Sequence, residues 1–331
     1  MKLIINHTAV ERTSLGGRRY FDGIMNALGW PGIVERTRLP RWSKLERPSE
    51  LLQRGGRDAV FWSPSQRGPL FARNHVVTVL DCINVEYTYR GDWRLPLLRK
   101  MSEAVLRNAA AVVAISHATR GAVLRNYDVD PAKVIVIPGP VDIRTNASTE
   151  PTLIIAVPAS PRFVLMITNA LPHKNTARAA RAFAASEAAT RGIALRVVGS
   201  IDPDGVAACR NAGVNVDLRR GVSDTELSDW LASAEFLLSP SLDEGLNLPI
   251  AEALAHGGRI LCSDIPVHRE FYDHQVSFFD PFSFDGMISA LNEGMARERG
   301  AWPSRATPAG PSFEDVASQY RALFVRLASA R

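Results

Sequence analysis

Paired cysteines, long apolar runs and nucleic-acid-binding signatures are all missing from this 331-residue sequence, and each absence excludes a class of protein. Its three cysteines, Cys82, Cys209 and Cys262, are far apart and without paired spacing, which argues against a disulfide framework or a zinc site and for free thiols in a reducing compartment. No apolar run approaches the roughly 18 residues of a membrane-spanning helix. Because no helix-turn-helix, RNA-recognition or metal-finger pattern is present, we expect no nucleic-acid partner.

The first residues, MKLIINHTAVERTS, turn polar after a few apolar positions. A secretory signal peptide needs a longer apolar stretch, so we expect a cytoplasmic protein.

Charge is distributed unevenly along the chain. Residues 1–150 carry 22 basic and 14 acidic residues, a net of +8, whereas residues 151–331 carry 17 and 20, a net of −3. The basic half faces either an anionic partner or only solvent. The candidate contact patch comprises RTRLPRWSKLER (36–47) and RGDWRLPLLRK (90–100), where Trp42 and Trp93 stand among Arg and Lys, a composition that suits an anionic membrane surface.

Short apolar runs alternate with segments of helical period throughout the chain. Runs of four to six apolar residues bounded by polar, Gly or Pro residues are typical of strands buried on both faces. The predicted strands are KLIIN, AVFWSP, HVVTVLD, AAVVAIS, KVIVIPG, RFVLMIT, LRVVGS, EFLLSPS and RILCSD. The helical segments include RRYFDGIMNALG, LPLLRKMSEAVLRNA, NTARAARAFAASEAAT and DTELSDWLASA. This alternation predicts an α/β fold with parallel, doubly wound sheets.

The chain length suits two domains, and Pro, Ser, Thr and Asn collect at residues 139–162, between two series of strands. We therefore predict a Rossmann-like domain over residues 1–155 and a second over 156–305. The last segment, 306–331, is predicted to form a terminal helix, FEDVASQYRALFVRLAS, that can pack back on the first domain.

The stretch SPSLDEGLNLPIAEALAHGG (239–258) lies between two predicted strands and places Glu244 and Glu252 around a helix start. Pro249 fits the first helical turn and Gly257 the residue after the last one. In open parallel sheets ligands bind beyond the carboxyl ends of strands, and backbone N–H groups of Gly245, Leu246 and Asn247 would suit a phosphate. The two carboxylates would then accept hydrogen bonds from sugar hydroxyls. The alternative is that they only interact favourably with the helix dipole.

The same stretch, continued through RILCSDIPVHRE, resembles the signature of the retaining GT-B glycosyltransferases of family 4. Other segments resemble the family in the same order: LGGRRY its Gly-rich loop, VVTVLD the strand that ends in its His-Asp pair, NALPHKN its donor-diphosphate segment, and SFEDVASQY its terminal helix. The first half, with FWSPSQRGPL, is most similar to bacterial members that build surface polysaccharides. The resemblance covers nearly the whole chain.

The resemblance implies a nucleotide-sugar donor held mainly by the second domain, an acceptor held mainly by the first, and no metal or other cofactor. The catalytic candidates are Glu244 beside the transferred sugar, Lys174 on the donor diphosphate, and Asp81, to which we add His7 at the end of the first strand. The donor-binding candidates are Gly16, Gly17, His173, Lys174, Gly199, Val222, Glu244, Gly245, Leu246, Asn247, Leu248 and Glu252. A lone histidine such as His7 is more often structural, and a Gly-Gly pair before a helix is more often an ordinary turn.

One position departs from the family pattern. Leu80 precedes Asp81 where the family has a histidine that points at the reacting sugar. The preferred interpretation is an enzyme that transfers a hexose, with GDP-mannose as first choice, or a 6-deoxyhexose, to a saccharide or lipid-linked saccharide. Two alternatives remain: a nucleotide-sugar epimerase of the same architecture, and a protein that binds the nucleotide sugar without turnover, which Leu80 favours.

Overall fold

A computed structural model describes residues 2–11, 13–37, 51–53, 59–87, 95–141, 162–303 and 310–329. The chain divides into two compact units, unit 1 formed by residues 1–140 with 310–331 and unit 2 formed by residues 141–309. The expected domain ends at 155 and 305 fall in segments outside the described residues and stay predictions.

Unit 1 is built on a sheet of six parallel strands. They are β1 (Lys2–Asn6), β2 (Ile33–Thr37), β3 (Ala59–Ser63), β4 (His75–Val79), β5 (Ala111–Ala114) and β6 (Val134–Val136). Their order across the sheet is β2-β1-β3-β4-β5-β6. The helices between them are α1 (His7–Glu11), α2 (Leu15–Ala27), α3 (Ile83–Glu86), α4 (Leu95–Asn108) and α5 (His117–Asn126), with a 3₁₀ turn at Pro131–Lys133. All residues of β3, β4 and β5 are buried, the pattern of a sheet covered on both faces.

Unit 2 repeats this architecture with a second six-stranded parallel sheet. Its strands are β7 (Phe163–Thr168), β8 (Ala194–Gly199), β9 (Val216–Arg219), β10 (Leu237–Ser239), β11 (Ile260–Ser263) and β12 (Ser277–Phe279). Its helices are α6 (Thr176–Ala185), α7 (Pro203–Asn211), α8 (Asp224–Ser233), α9 (Leu248–Ala255), α10 (Pro266–Tyr272) and α11 (Phe284–Ala296), with 3₁₀ turns at Pro172–Lys174 and Arg299–Ala301. The strand order β12-β11-β10-β7-β8-β9 confirms the predicted doubly wound α/β fold.

All nine predicted strands are present, and three further strands were missed. These three, β2, β9 and β12, are edge strands of their sheets. Ile33 and Val34 of β2 are 69% and 40% exposed, and β9 has no buried residue. Because these three edge strands are only partly covered, they lack the continuous apolar run by which the central strands and the fourth edge strand, β6, were recognised.

The terminal helix, α12 (Phe313–Ser329), spans the segment FEDVASQYRALFVRLAS and packs against α2 and β3 of unit 1. Its Tyr320 is fully buried, and its hydroxyl lies 2.7 Å from Thr78 Oγ1 and 3.1 Å from Tyr20 Oη. Trp62 Nε1 donates to the same Thr78 hydroxyl at 3.0 Å. The helix is thus joined by a buried polar chain to the sheet of unit 1.

Within the described ranges, no helix is both long and apolar enough to cross a membrane. Cys82, Cys209 and Cys262 are buried, and none of the three forms a disulfide. Most of the candidate basic patch, including Trp42 and Trp93, lies outside the described residues, so its predicted role is untested.

Candidate functional site

The strand order of unit 2 creates a crevice where the chain reverses direction across the sheet. After β7 the chain adds β8 and β9 on one side, then returns to place β10 on the other side of β7. The loops that follow β7 and β10 therefore diverge at this point, which is where open α/β sheets bind ligands. Lys174 follows β7 and Glu244 follows β10, so the topology brings together two candidates 70 positions apart.

Lys174 and Glu244 form the centre of this site. Lys174 Nζ donates to Glu244 Oε1 at 2.6 Å, and Ser241 Oγ donates to the same oxygen at 2.6 Å. The Glu244 side chain is 9% exposed and that of Lys174 21%. The two loops are also joined through the backbone, since Leu242 N donates to His173 O at 2.7 Å. The result is a half-buried ion pair with its cation still open to solvent.

Burial and charge act in opposite directions on the Glu244 carboxyl. Burial alone would raise its pKa, but the Lys174 ammonium and the Ser241 hydroxyl outweigh this and hold the pKa below its usual range. Glu244 is therefore a carboxylate at neutral pH. Burial, together with the charge of Lys174, lowers the pKa of His173 in the same turn, so its imidazole is neutral at neutral pH.

The helix start predicted after this loop is confirmed. Pro249 lies in the first turn of α9, which ends at Ala255, and Gly257 follows it with φ +70°. Gly258 N donates to Ala253 O at 2.7 Å, closing the helix in the manner favoured by a glycine in the left-handed region. Gly245, Leu246 and Asn247 form the buried loop before the helix, Leu248 begins it, and half-buried Glu252 lies one turn further on.

Gly199 and Val222 lie on the other side of β7. Gly199 ends β8 with φ +115°, and a Cβ there would lie 2.0 Å from Thr168 O at the end of β7, so no other residue fits. Val222 is half-buried between β9 and α8, two strands from β7.

The candidates of unit 1 lie around the carboxyl ends of its strands. His7 follows β1 as the first residue of α1, and its Nδ1 lies 3.6 Å from Glu11 Oε1. Asp81 follows β4, and its Oδ1 accepts from Ile83 N at 3.2 Å at the start of α3. Gln66 Nε2 donates to Asp81 O at 2.7 Å.

The interpretation of the Gly-Gly pair as a loop before a helix was wrong, because Gly16 and Gly17 lie inside the first turn of α2. Gly17 N donates to the capping Ser14 Oγ at 3.1 Å. A Cβ on Gly17 would lie 2.3 Å from Thr13 Oγ1 and 2.8 Å from Leu80 Cδ1. The side chain of Leu80 thus packs directly on this glycine.

Sequence reasoning missed three side chains of the unit 2 site, namely Ser241, His268 and Tyr272. Ser241 stands three positions before Glu244, a short polar spacing that gives only a weak signal. His268 and Tyr272 act on residues more than twenty positions away, and no local pattern marks such contacts.

Across the described part of the chain, no group of His, Cys, Asp and Glu is arranged to hold a metal ion.

Two family models match the chain in succession. Residues 19–145 match the model described as Glycosyltransferase Family 4, and residues 154–299 match the model described as Glycosyl transferases group 1.

Two curated relatives are similar over part of the chain. The MMP alpha-(1->4)-mannosyltransferase of Mycolicibacterium hassiacum is 29% identical over 205 residues, which cover 59% of this chain and 48% of that protein. The O-antigen chain mannosyltransferase RfbU of Salmonella typhimurium is 25% identical over 236 residues, 66% of this chain and 60% of that protein. The matches thus span less than two thirds of either relative.

A solved structure is similar over the full length. The crystal structure of WaaG, a glycosyltransferase involved in lipopolysaccharide biosynthesis, has a TM-score of 0.72 at 16% identity and covers 98% of this chain and 99% of that one. At this identity the likeness concerns the fold.

Proposed function

We propose, because this chain belongs to the GT-B glycosyltransferases of family 4, that it transfers a hexose or 6-deoxyhexose from a nucleoside diphosphate sugar to a saccharide acceptor. The observation that carries the proposal is the Lys174–Glu244 pair at the reversal point of the unit 2 sheet. It combines a cation for a diphosphate with a carboxylate for sugar hydroxyls.

Lys174 has the role of stabilising the leaving group in this proposal. The bond between the anomeric carbon and the β-phosphate oxygen breaks, and its electron pair leaves on the nucleoside diphosphate. An acceptor hydroxyl oxygen forms the new bond to that carbon and its proton passes to the departing diphosphate. A preorganised ammonium stabilises the negative charge that develops on the phosphate, so the proposed transfer is metal-independent. The proposed stereochemical course is retention.

Glu244 and Glu252 have the role of binding hydroxyl groups. Oε1 of Glu244 already accepts from Lys174 and Ser241, so we assign its second oxygen to the transferred sugar. Glu252, one turn into α9, is assigned to the ribose. The loop 245–248 contacts the diphosphate through its backbone N–H groups.

Mannose on GDP is the donor we propose first; the names of both curated relatives, which are mannosyltransferases, support the choice of sugar. The proposed acceptor is a saccharide carried on a lipid diphosphate at the cytoplasmic membrane face, in the synthesis of a surface polysaccharide. The net charge of +8 in residues 1–150 supports an anionic acceptor or surface.

Lys174→Ala tests the proposed chemistry. We expect the turnover number to fall by about 10²- to 10³-fold, as when one preorganised donor to a transition state is removed. Transfer is measured with GDP-mannose and a panel of other nucleotide sugars, and Lys133→Ala in unit 1 is the matched loss of one lysine. An unchanged turnover number would remove Lys174 from the mechanism, and full inhibition of wild type by EDTA would refute metal independence.

Glu252→Gln tests the donor assignment. We expect weaker donor binding in calorimetry with little change in thermal stability, because a carboxylate near a helix N-terminus contributes only about 0.3–1 kcal/mol to folding. Equal donor affinity in wild type and variant contradicts the ribose contact.

Binding of a nucleotide sugar without turnover is the second candidate, and Leu80 is the observation that favours it. Donor binding by wild type with neither transfer nor hydrolysis, across the acceptor panel, would support it over the enzyme.

A further inference from the structure

Helix α10 presents two buried side chains to the loop that precedes α9. His268 and Tyr272 are one helical turn apart and are 0% and 1% exposed. Both make hydrogen bonds to residues 246 and 247, although neither lies near that loop in the sequence.

His268 acts on the side chain of Asn247. Asn247 Nδ2 lies 2.8 Å from His268 Nε2, and because an amide nitrogen only donates, Nε2 must accept. The ring proton is then on Nδ1, which donates to Ser263 O at 2.8 Å. Burial lowers the pKa of His268, in keeping with this neutral form. Asn247 Nδ2 also donates to Ser239 Oγ at 2.8 Å, which ties the loop to the ends of β10 and β11.

The backbone of Asn247 explains why such fixation is needed. Asn247 has φ +63° and ψ +62°, a left-handed conformation that is uncommon outside glycine, although Asn adopts it more often than most residues do. Its side chain does not cap α9, although Asn is a favoured capping residue. The amide is instead committed to Ser239 and His268, which hold the residue in this conformation.

Tyr272 acts on the backbone of the same loop. Its hydroxyl donates to Leu246 O at 2.8 Å and lies 3.2 Å from Asn247 O. In a trans peptide the N–H points opposite to the carbonyl of the same unit. Because both carbonyls face the buried Tyr272, the N–H groups of Asn247 and Leu248 are directed away from it.

We propose that α10 is the positioning element of the donor site, with His268 acting through the Asn247 side chain and Tyr272 through two carbonyls to aim the N–H groups of Asn247 and Leu248 at a diphosphate. The proposal rests on the proposed function for the identity of the ligand. His268 and Tyr272 touch no substrate; they are positioning residues.

Affinity for GDP and for guanosine distinguishes positioning from general destabilisation. We expect His268→Ala and Tyr272→Phe each to weaken GDP binding by about three- to tenfold, the effect of one net hydrogen bond, and to leave guanosine binding unchanged because guanosine has no phosphate. Phe271→Leu, a core change in the same helix, is the matched control and should leave both affinities unchanged. Unchanged GDP affinity in both variants overturns the proposal.

A double-variant cycle tests the path through Asn247. Glycine adopts the left-handed conformation without help, so Asn247→Gly should keep most of the GDP affinity. In that background His268→Ala should have little further effect, whereas Tyr272→Phe should keep its full effect. If His268→Ala is equally harmful in both backgrounds, the assignment to Asn247 is wrong.

Hydrogen exchange of the nucleotide-free protein separates this proposal from the proposed function. If wild type binds none of ADP, GDP and UDP, the proposed donor is refuted, while exchange of residues 244–250 still decides the role of α10. Faster exchange there in His268→Ala and Tyr272→Phe than in Phe271→Leu supports the positioning role, and equal exchange in all variants overturns it.

Discussion

Leu80 follows β4 and packs its apolar side chain on Gly17, at the position where the resemblance to family 4 predicts a histidine. If this position faces the outer hydroxyl of the transferred sugar, a donor without that hydroxyl binds with no loss of binding free energy. An apolar pocket discriminates between such donors by only about 1–3 kcal/mol, whereas a pocket that bonds the hydroxyl rejects the deoxy analogue far more strongly.

The prediction for Leu80→His is therefore a change in donor preference. We expect wild type to use matched hexose and 6-deoxyhexose donors on the same nucleotide with similar kcat/KM, and Leu80→His to shift the ratio toward the hexose. Wild-type rejection of the deoxy donor, together with an unshifted ratio in the variant, contradicts this role for Leu80.

His75 should make unit 1 sensitive to acid. It is fully buried against Ser63, with Nε2 2.9 Å from Ser63 Oγ. Burial lowers its pKa to about 3, although the carbonyl of Pro69 acts in the opposite direction. The unfolded chain binds a proton near pH 6.5 and the folded chain does not, so stability is full above pH 6.5 and falls by about 1.4 kcal/mol per pH unit from there toward pH 3.

His75→Gln, which cannot titrate, tests this. Urea unfolding at pH 7.5 and pH 5 is monitored by hydrogen exchange of peptides from β3 and β4, so that the measured stability is that of unit 1. We expect wild type to lose about 2 kcal/mol more than the variant between these pH values. Parallel losses in the two proteins would show that another group causes the acid sensitivity.

At the scale of elements, the Tyr320 hydroxyl gives α12 a buried polar connection to the sheet of unit 1. Tyr320→Phe removes the hydroxyl that contacts Thr78 and Tyr20 in a fully buried site, and Thr78 keeps its hydrogen bond from Trp62. We expect a loss of about 1–3 kcal/mol in stability, the cost of leaving the buried Tyr20 hydroxyl without this partner. Val325→Ala, on the exposed side of the same helix, should change stability by about 0.5 kcal/mol or less. Urea unfolding measures both, and equal effects would mean that the hydroxyl chain contributes nothing specific.

Elements whose burial follows a regular pattern, either along the whole strand or on one face of a helix, were predictable from sequence. The run FVLMIT is apolar because β7 is central in its sheet, and FEDVASQYRALFVRLAS has an apolar face because α12 has one side on unit 1. β2 was missed because Ile33 and Val34 face solvent. The resemblance named both Lys174 and Glu244, but their 2.6 Å contact depends on β10 returning beside β7, and strand order is a long-range property. Tyr272 was missed for the same reason.

At the scale of the whole molecule, the basic charge of residues 1–150 predicts binding to anionic vesicles. Each basic residue near such a surface contributes about 1 kcal/mol, an attraction that salt screens. We expect co-sedimentation with phosphatidylserine vesicles at low salt and release at high salt, with neutral vesicles as control. No binding to anionic vesicles at low salt would leave an ordinary solvated surface and a soluble acceptor.

The two units differ in how the chain builds them. Unit 2 is one continuous stretch, whereas unit 1 is left at residue 140 and completed only by residues 310–331. On the ribosome, the 169 residues of unit 2 (141–309) are made before unit 1 receives α12, so Trp62 and Thr78 lack their contacts with that helix until then. A chain that ends before residue 310 therefore lacks α12, and we expect it to leave Trp62 and Thr78 of unit 1 uncovered and open to proteases.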